Sequence, residues 1–150
     1  MGYAFSHLGP QDLALFRDLQ HMFGEAFGDL ARYTAAPPRD AYTAALLAKP
    51  HFIALAATQG DRVVGGLAAY VLEKFERERS EVYIYDLAVA EAHRRRGIAT
   101  RLIQQLKGIA RDKGAYVIFV QADPEDAPAL ALYASLGVRE DVHHFDIEVT

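Results

Sequence analysis

Apolar positions along the chain recur with two periods, and together they predict helices alternating with strands. From Gln11 to Phe23 they follow the three- and four-residue spacing of a helix. From Gly97 to Lys113 they form one face of a longer helix, which Gly114 is well placed to end. Helical segments are also predicted from Asp40 to Lys49 and from Asp126 to Leu136. About four helices are therefore expected.

Six further runs are apolar or alternate between apolar and polar residues, as strands do. They are Tyr3–Leu8, His51–Ala57, Arg62–Leu72, Val82–Val89, Ala115–Ala122 and Val142–Val149. The second and third runs are joined by a hairpin signal at 58–61, and the nearly all-apolar fifth run should be covered on both faces. The fourth run, the long helix and the fifth run make one right-handed crossover unit. Because no linker or repeat divides the chain, residues 1–150 are interpreted as a single α/β (mixed α+β) domain.

Composition and charge narrow the function. The 150 residues contain no cysteine, which excludes disulfide scaffolds and thiolate chemistry, and the six histidines lack metal-ligand spacing, so no metal site is expected. The longest apolar runs are too short for a bilayer, and the N-terminus lacks a signal-peptide layout, so we expect a cytoplasmic protein without a membrane partner. A net charge of −4 argues against nucleic acid. Basic residues concentrate at Arg94–Arg96, which suggests a small anionic cofactor there and a cationic substrate elsewhere.

The segment between the fourth strand and the long helix carries the sharpest chemical signal. After Asp86-Leu-Ala-Val89 comes a short turn and then Arg94-x-x-Gly97-x-Ala99, which enters the helix. The first N–H groups of a helix have no intrahelical partner, and the helix dipole favours negative charge at that end. Small residues let a diphosphate approach these amides closely. The alternative reading, a solvated basic turn, explains neither the preceding strand nor the following helix.

Arg94-x-x-Gly97-x-Ala99 resembles the coenzyme A-binding motif of the GNAT superfamily of N-acetyltransferases, and Ala129-x-x-Leu132-Tyr133-x-x-Leu136-Gly137 resembles that superfamily's next helix. The chain is closer still to the aminoglycoside 3-N-acetyltransferases of the gentamicin-resistance type (type I). Four segments carry that similarity: 23–29, 80–89, 114–123 and 144–147. Together they extend over nearly the whole length of the chain.

This resemblance implies a fold, a cofactor and an oligomer. The fold is a central mixed, mostly antiparallel sheet that splays between its fourth and fifth strands and is flanked by about four helices. The cofactor is acetyl-CoA, with its pantetheine arm in the splay. The residues implied to bind it are Leu87, Ala88, Val89, Arg94, Arg95, Arg96, Gly97, Ile98, Ala99 and Thr100. The superfamily also leads us to expect a homodimer.

Acetyl transfer to an amine needs a base, a stabilised oxyanion and a proton for the leaving thiolate. By resemblance Tyr133 supplies that proton; the alternative is a packed core aromatic. Asp86 is the favoured base, acting directly or through water. The alternative is that its carboxylate points outward to solvent or forms a salt bridge. Glu81 is a weaker candidate for the base. Strict alternation would place Asp86 with Val82 and Ile84, but the superfamily's strand is bulged nearby, which disturbs that parity.

An aminoglycoside carries several ammonium groups, so its pocket should be lined with carboxylates. The residues predicted to bind this small cationic amine are Glu25, Asp29, Glu81, Tyr83, Asp123, Glu125, Asp126 and Asp146. Each acid taken alone also fits a solvated surface charge, and Tyr83 could equally complete the core. The acceptor could instead be a polyamine, an amino sugar or a protein N-terminus. A non-catalytic acetyl-CoA sensor is a further alternative.

Overall fold

The computed structural model describes residues 2–150, which form five helices around one five-stranded sheet. The helices are α1 (Leu13–Ala26), α2 (Leu30–Thr34), α3 (Asp40–Ala48), α4 (Ile98–Asp112) and α5 (Ala127–Leu136). The strands are β1 (Ala4–His7), β2 (Phe52–Gln59), β3 (Arg62–Glu73), β4 (Ser80–Val89) and β5 (Ala115–Val120). All four predicted helices are present. The additional helix, α2, has only five residues, too few to produce a detectable period.

The sheet has the strand order β1-β2-β3-β4-β5, with antiparallel neighbours up to β4 and a parallel β4–β5 pair. The β4–β5 pairing runs from Ser80 opposite Ala115 to Ile84 opposite Val120 and goes no further. Because β4 continues to Val89, its last five residues are separated from β5. The predicted mixed sheet, splayed between its fourth and fifth strands, is therefore confirmed.

Helices cover both faces of the sheet. On one face α4 packs against the strands through its buried side chains, Leu102 and Leu106 among them. On the other face α1 packs directly on β3, because Gly66 leaves no room for a side chain: an added Cβ would lie 2.3 Å from Leu19 Cδ1. Neighbouring Gly65 similarly admits Ile98, the first residue of α4, whose Cγ2 would be 3.0 Å from an added Cβ. Gly66 therefore allows α1 to lie close to one face of the sheet, and Gly65 allows the start of α4 to lie close to the other.

Two sequence predictions differ from the structure, and both concern the same edge of the sheet. The predicted strand Val142–Val149 is absent: residues 137–150 contain no regular secondary structure and are exposed. The predicted two-sided cover of the fifth strand is also wrong, because β5 is an edge strand with Tyr116 51% and Val117 39% exposed. A strand needs the hydrogen-bonding edge of another strand, and within residues 2–150 the C-terminal segment does not reach one. Among those residues no helix combines the length and apolar character needed to cross a membrane.

Candidate active site

Free backbone amides gather at the start of α4, as the sequence predicts. A 3-10 turn over Glu91–His93 leads from β4 into this loop, and Gly97 occupies the N-cap position in the left-handed conformation, with φ 77°. Within the part of the chain that the structure describes, the backbone N–H groups from Arg95 to Thr100 have no hydrogen-bond acceptor. Consecutive N–H groups of this kind, at a helix N-terminus, form a concave site for an anion.

The three arginines of this loop have different roles. Arg94 lies outside the row of free amides, because its N–H donates to the Glu91 carbonyl and its Nε donates to the Val89 carbonyl at 3.1 Å. Arg96 Nη1 donates to the Tyr3 hydroxyl at 3.1 Å. Arg95 has φ 63°, an uncommon conformation for a residue with a side chain, which helps to turn successive amides toward one point. Two of the arginines therefore hold the loop in place, while the backbone supplies the site.

The position of Asp86 is determined by a β-bulge. In the β3–β4 pair, Ala68 is opposite Asp86 and Ala69 is opposite Ile84, so Tyr85 has no residue opposite it. The extra residue shifts the alternation of side chains by one position. As a result Asp86 faces α2, whereas Ile84 packs into the core on the α4 face. Strict alternation of the sequence would have placed the two side chains together.

Asp86 is half-buried, and its one hydrogen-bond partner among residues 2–150 is the Tyr33 hydroxyl of α2, which donates to its Oδ2 at 2.9 Å. Burial raises the pKa of Asp86, and the Tyr33 hydrogen bond and nearby Arg32 oppose that shift. Burial and the neighbouring carboxylate raise the pKa of Tyr33, so Tyr33 stays a neutral donor. The second carboxylate oxygen is available to a ligand. A carboxylate with a raised pKa and one free oxygen is suited to accept a proton.

Aromatic side chains surround Asp86 on the same face of the sheet. Tyr83 stacks on Phe119 with ring centroids 4.7 Å apart, and Tyr85 lies edge-on to both Tyr83 and Tyr70, with centroids 5.9 Å apart in each pair. Tyr85 is 56% exposed, so this surface is open to a ligand. Flat aromatic surfaces next to a carboxylate suit the apolar ring faces and ammonium groups of an amino sugar.

Tyr133 lies in α5 and packs against the core on the α4 side. Burial, helped by the negative charge of Asp126, raises the pKa of Tyr133 to about 12. Its hydroxyl donates to no acceptor within residues 2–150. A neutral tyrosine with a free hydroxyl is a competent proton donor. Its role as the acid remains a prediction.

The predicted acidic pocket is only partly brought together in the single chain. Glu25, near the end of α1, pairs with His21 at 2.8 Å and lines an open cleft of about 560 Å³ that also includes Arg94. Asp29 stands at the start of α2, four residues before Tyr33, without capping the helix through its side chain. The structure therefore places Asp29 on the segment that contacts Asp86, and Glu25 nearer the amide loop.

Glu81 is held away from the region around Asp86. It lies five residues before Asp86 on β4, where its Oε1 accepts from the Tyr116 hydroxyl at 2.7 Å and from Lys74 Nζ at 3.3 Å. The Tyr116 hydrogen bond, followed by Lys74, lowers the pKa of Glu81. A carboxylate so engaged is a poor base, which leaves Asp86 as the candidate.

The remaining predicted acids lie after β5. Asp123 accepts from the Glu125 N–H at 2.9 Å, and Asp126 caps α5 by accepting from the Ala129 N–H at 3.1 Å. Because β4 and β5 are parallel, the loop that follows β5 lies at the same end of the sheet as Asp86, toward the carboxyl ends of these two strands. Asp146 belongs to the exposed C-terminal segment and pairs there with His144 at 2.8 Å. It is not brought near the other acids of its own chain.

Tyr33 is the site residue that the sequence did not reveal. It lies in a helix too short to give a period, between Gly28 and the Ala36-Pro37-Pro38 break, in a stretch interpreted as a loop. The one available signal was Asp29, a residue type that often precedes helices. Phe119 and Tyr70 were likewise assigned only to strands.

The described fold combines a row of free amides after β4, a splay between β4 and β5, and a half-buried carboxylate on the bulged strand. Comparison with known proteins agrees: the model of the Acetyltransferase (GNAT) family matches residues 14–138. The chain belongs to this family, which confirms the enzyme class and the acetyl-CoA cofactor predicted from the sequence.

Among solved structures, an aminoglycoside acetyltransferase from an uncultured soil metagenomic sample is 59% identical and superposes with a TM-score of 0.98 over the whole of both chains. A second soil-metagenome aminoglycoside acetyltransferase, in complex with sisomicin, is 32% identical with a TM-score of 0.90, over 99% of this chain and 97% of that one. Among curated proteins, N-acetyltransferase 8B of Rattus norvegicus is 28% identical over 89 residues. That alignment takes in 59% of this chain but only 40% of the rat protein, so the chain spans about two fifths of that relative's length.

Proposed function

We propose that this protein transfers the acetyl group of acetyl-CoA to an amine of a gentamicin-like aminoglycoside. The observation that carries the proposal is Asp86, a half-buried carboxylate with one free oxygen, between the exposed tyrosine face and the end of the splay. Similarity to two aminoglycoside acetyltransferases, one of them in complex with sisomicin, supports this class of acceptor.

Cofactor binding would use the backbone of this chain. The amides from Arg95 to Thr100 would accept the diphosphate, and the free edge of β4 from Leu87 to Val89 would hydrogen-bond the pantetheine arm. The bound cofactor supplies a thioester, which is the acetyl donor. Its carbonyl oxygen would accept from a backbone amide of Leu87 or Ala88 as negative charge develops.

Asp86 would take the proton from the acceptor ammonium, directly or through water, so that the neutral amine can attack the thioester carbonyl. Attack would leave a second proton on the nitrogen; as the carbon–sulfur bond breaks to release the thiolate and the carbonyl is restored, that proton would pass to solvent, so that the product is a neutral amide. Tyr133 would give its proton to that thiolate, since its raised pKa keeps it protonated at neutral pH. The Tyr33 hydroxyl would hold the Asp86 carboxylate in place during the transfer.

Acetylation at the 3-amino group, a role in antibiotic resistance and a cytoplasmic location belong to this proposal. The resemblance to the type I 3-N-acetyltransferases supports the first. Acetylation removes the positive charge of a drug amine, and we propose resistance as the consequence. A homodimer is also proposed.

The direct test incubates the protein with acetyl-CoA and sisomicin, gentamicin or spermidine, and follows thiol release. Thiol release with the two aminoglycosides, one acetyl added per molecule and the modified nitrogen located at position 3 by NMR, is the expected result. Release with spermidine alone would replace the aminoglycoside proposal with a polyamine acetyltransferase. Cofactor binding without release on any amine would instead indicate an acetyl-CoA sensor.

A further inference from the structure

One tyrosine hydroxyl contacts the amide loop at two points. The hydroxyl of Tyr3, which directly precedes β1, lies 2.9 Å from His93 Nδ1 and accepts from Arg96 Nη1 at 3.1 Å. The tyrosine ring packs against the core and meets the His93 ring edge-on, with centroids 5.7 Å apart. These two hydrogen bonds, here called the Tyr3 clasp, join the residues on either side of Arg94 and Arg95.

The backbone inside the clasp is strained. Arg95 has φ 63° and Gly97 has φ 77°, so Arg96 lies between two left-handed residues. Glycine adopts this conformation freely, but in a residue with a Cβ it costs free energy and persists only where surrounding contacts hold it. The side chain of Arg94 is tied to β4 before the strained residue, whereas the Tyr3 hydroxyl spans it.

The conformation of Arg95 determines where the free amides point. Successive N–H groups converge on one anion when right-handed and left-handed residues follow one another along the backbone. A loop that relaxed to another conformation would have to be ordered again by its ligand, and that ordering weakens binding. A loop that is already held in shape avoids this cost.

We infer that Tyr3 is a positioning residue for the cofactor: its hydroxyl holds Arg95 left-handed and so forms the diphosphate site before coenzyme A binds. This role rests on the proposed binding of the diphosphate by the amides from Arg95 to Thr100. Because Tyr3 acts through the loop, its loss should change the affinity for the cofactor and not the chemical step.

The direction of the two hydrogen bonds links the clasp to the charge of His93. A guanidinium can only donate, so the Tyr3 oxygen accepts from Arg96 and its own proton is available to His93. Nδ1 accepts that proton only in a neutral imidazole. When His93 is protonated, two cationic donors face one oxygen and the Tyr3 proton loses its acceptor. The clasp is therefore intact only while His93 is neutral.

Histidine side chains change charge between about pH 5 and 8, so the clasp should weaken as pH falls through that range. Among residues 2–150, the charged or titratable groups next to His93 are Tyr3 beside β1, Arg96 before α4, and Glu91 and Arg94 on its own turn. All of these except Tyr3 are the same in the wild type and in Tyr3→Phe, as are the phosphates of coenzyme A. The ratio of the two Kd values at each pH therefore isolates the clasp.

The clasp is tested by titration calorimetry of the full chain with coenzyme A. Tyr3→Phe keeps the ring and removes the hydroxyl, and at pH 8 its Kd should be roughly fivefold higher than that of the wild type, the effect of ordering about one side chain on binding. Tyr116→Phe removes a hydroxyl that donates to Glu81 at the other end of β4, and it should bind as the wild type does. In steady-state assays Tyr3→Phe should raise KM for acetyl-CoA and leave kcat unchanged. Wild-type affinity in Tyr3→Phe at pH 8, or a loss confined to kcat, would overturn the inference.

The pH dependence separates the clasp from a hydroxyl that only stabilises the fold. The ratio of Kd values should fall from roughly fivefold at pH 8 toward one at pH 5, where histidine is charged. His93→Asn places an amide oxygen near the position of Nδ1 and carries no charge at either pH, so in that background Tyr3→Phe should weaken binding equally at both. A ratio that is the same at pH 8 and pH 5 with His93 present would overturn the link to His93.

The Tyr3 clasp and the diphosphate site can fail separately. The titrations need no acceptor amine, so the proposed aminoglycoside does not affect them. If Gly97→Val weakens binding and Tyr3→Phe does not, the amides hold the diphosphate without the clasp, and the role of Tyr3 is wrong. If neither variant weakens binding, the site and the clasp are both wrong.

Discussion

The glycine at the start of α4 offers a sharp prediction, because a matched glycine ends the same helix. Gly97 has φ 77° and Gly114 has φ 74°, and an added Cβ would meet no atom within 4 Å at either position. Both are thus left-handed residues with open space around them. They lie beyond opposite ends of a 15-residue helix that is about 22 Å long.

Replacement of either glycine by valine strains the backbone to the same degree. The left-handed conformation costs a residue with a Cβ about 1–2 kcal/mol, and more for a branched side chain. For a chain of this size each kcal/mol lowers Tm by about 2–4 °C. Gly97→Val and Gly114→Val should therefore lose similar stability.

The two variants should differ in their affinity for coenzyme A. A valine side chain at 97 would occupy the space in front of the free amides and displace at least one charge-assisted hydrogen bond to the diphosphate, worth roughly 1.5–3 kcal/mol. That loss corresponds to a Kd roughly 10–150 times higher for Gly97→Val. Gly114→Val should bind as the wild type does.

The assay is isothermal titration of each variant with coenzyme A, beside its thermal unfolding curve. If both variants keep wild-type affinity while their Tm falls by the same amount, the amides from Arg95 to Thr100 do not hold the diphosphate. An equal loss of affinity in both would mean that strain in α4, and not access to the amides, weakens binding.

Other predictions concern Asp86 and its surroundings. Asp86→Asn should lower kcat/KM by roughly 10²–10⁴. Burial raises the pKa of Asp86, so the native state retains the proton of this carboxyl to a higher pH than the unfolded state does. The wild type therefore loses stability as pH rises through that pKa. In unfolding experiments at pH 8, Asp86→Asn should be no less stable than the wild type. Tyr33→Phe removes a hydrogen bond that lowers the pKa of Asp86, so the acid limb of the kcat/KM profile should move to higher pH. Tyr116→Phe, which loses a carboxylate partner at the other end of β4, should leave that limb in place. Tyr133→Phe should lower kcat about 10- to 100-fold with little change in Tm, and unchanged turnover would remove its role as the acid. Gly66→Ala should cost about 1–3 kcal/mol in denaturant unfolding, because a methyl there collides with α1; a stability equal to the wild type would contradict that packing.

The regular elements were predictable because their signals are local. The buried face of α4, the hairpin at Gly60 and the glycine that ends α4 each leave a pattern within a few residues. The amide loop was predictable for the same reason, since a strand, a glycine and a helix follow one another along the chain. These predictions depend on backbone geometry that neighbouring residues determine.

Features that depend on distant parts of the chain were not predictable. The bulge at Tyr85 comes from the register of β3 on β4, so it changes the face of Asp86 without any mark near Asp86 itself, and only the resemblance to the superfamily indicated a bulge in this strand. Tyr33 reaches Asp86 from 53 positions away, through a helix of one and a half turns. Residues 142–149 have the alternation of a strand, but alternation alone does not determine which sheet edge a strand will join.

The central claim is that the free amides at the start of α4 hold the diphosphate of acetyl-CoA and so place its thioester beside Asp86. A crystal structure of the protein with coenzyme A and sisomicin tests it most directly. We expect the diphosphate within hydrogen-bond distance of the amides from Arg95 to Thr100, the sulfur in the splay between β4 and β5, and a drug nitrogen next to the Asp86 carboxylate. A cofactor bound elsewhere, with these amides facing only solvent, would contradict it.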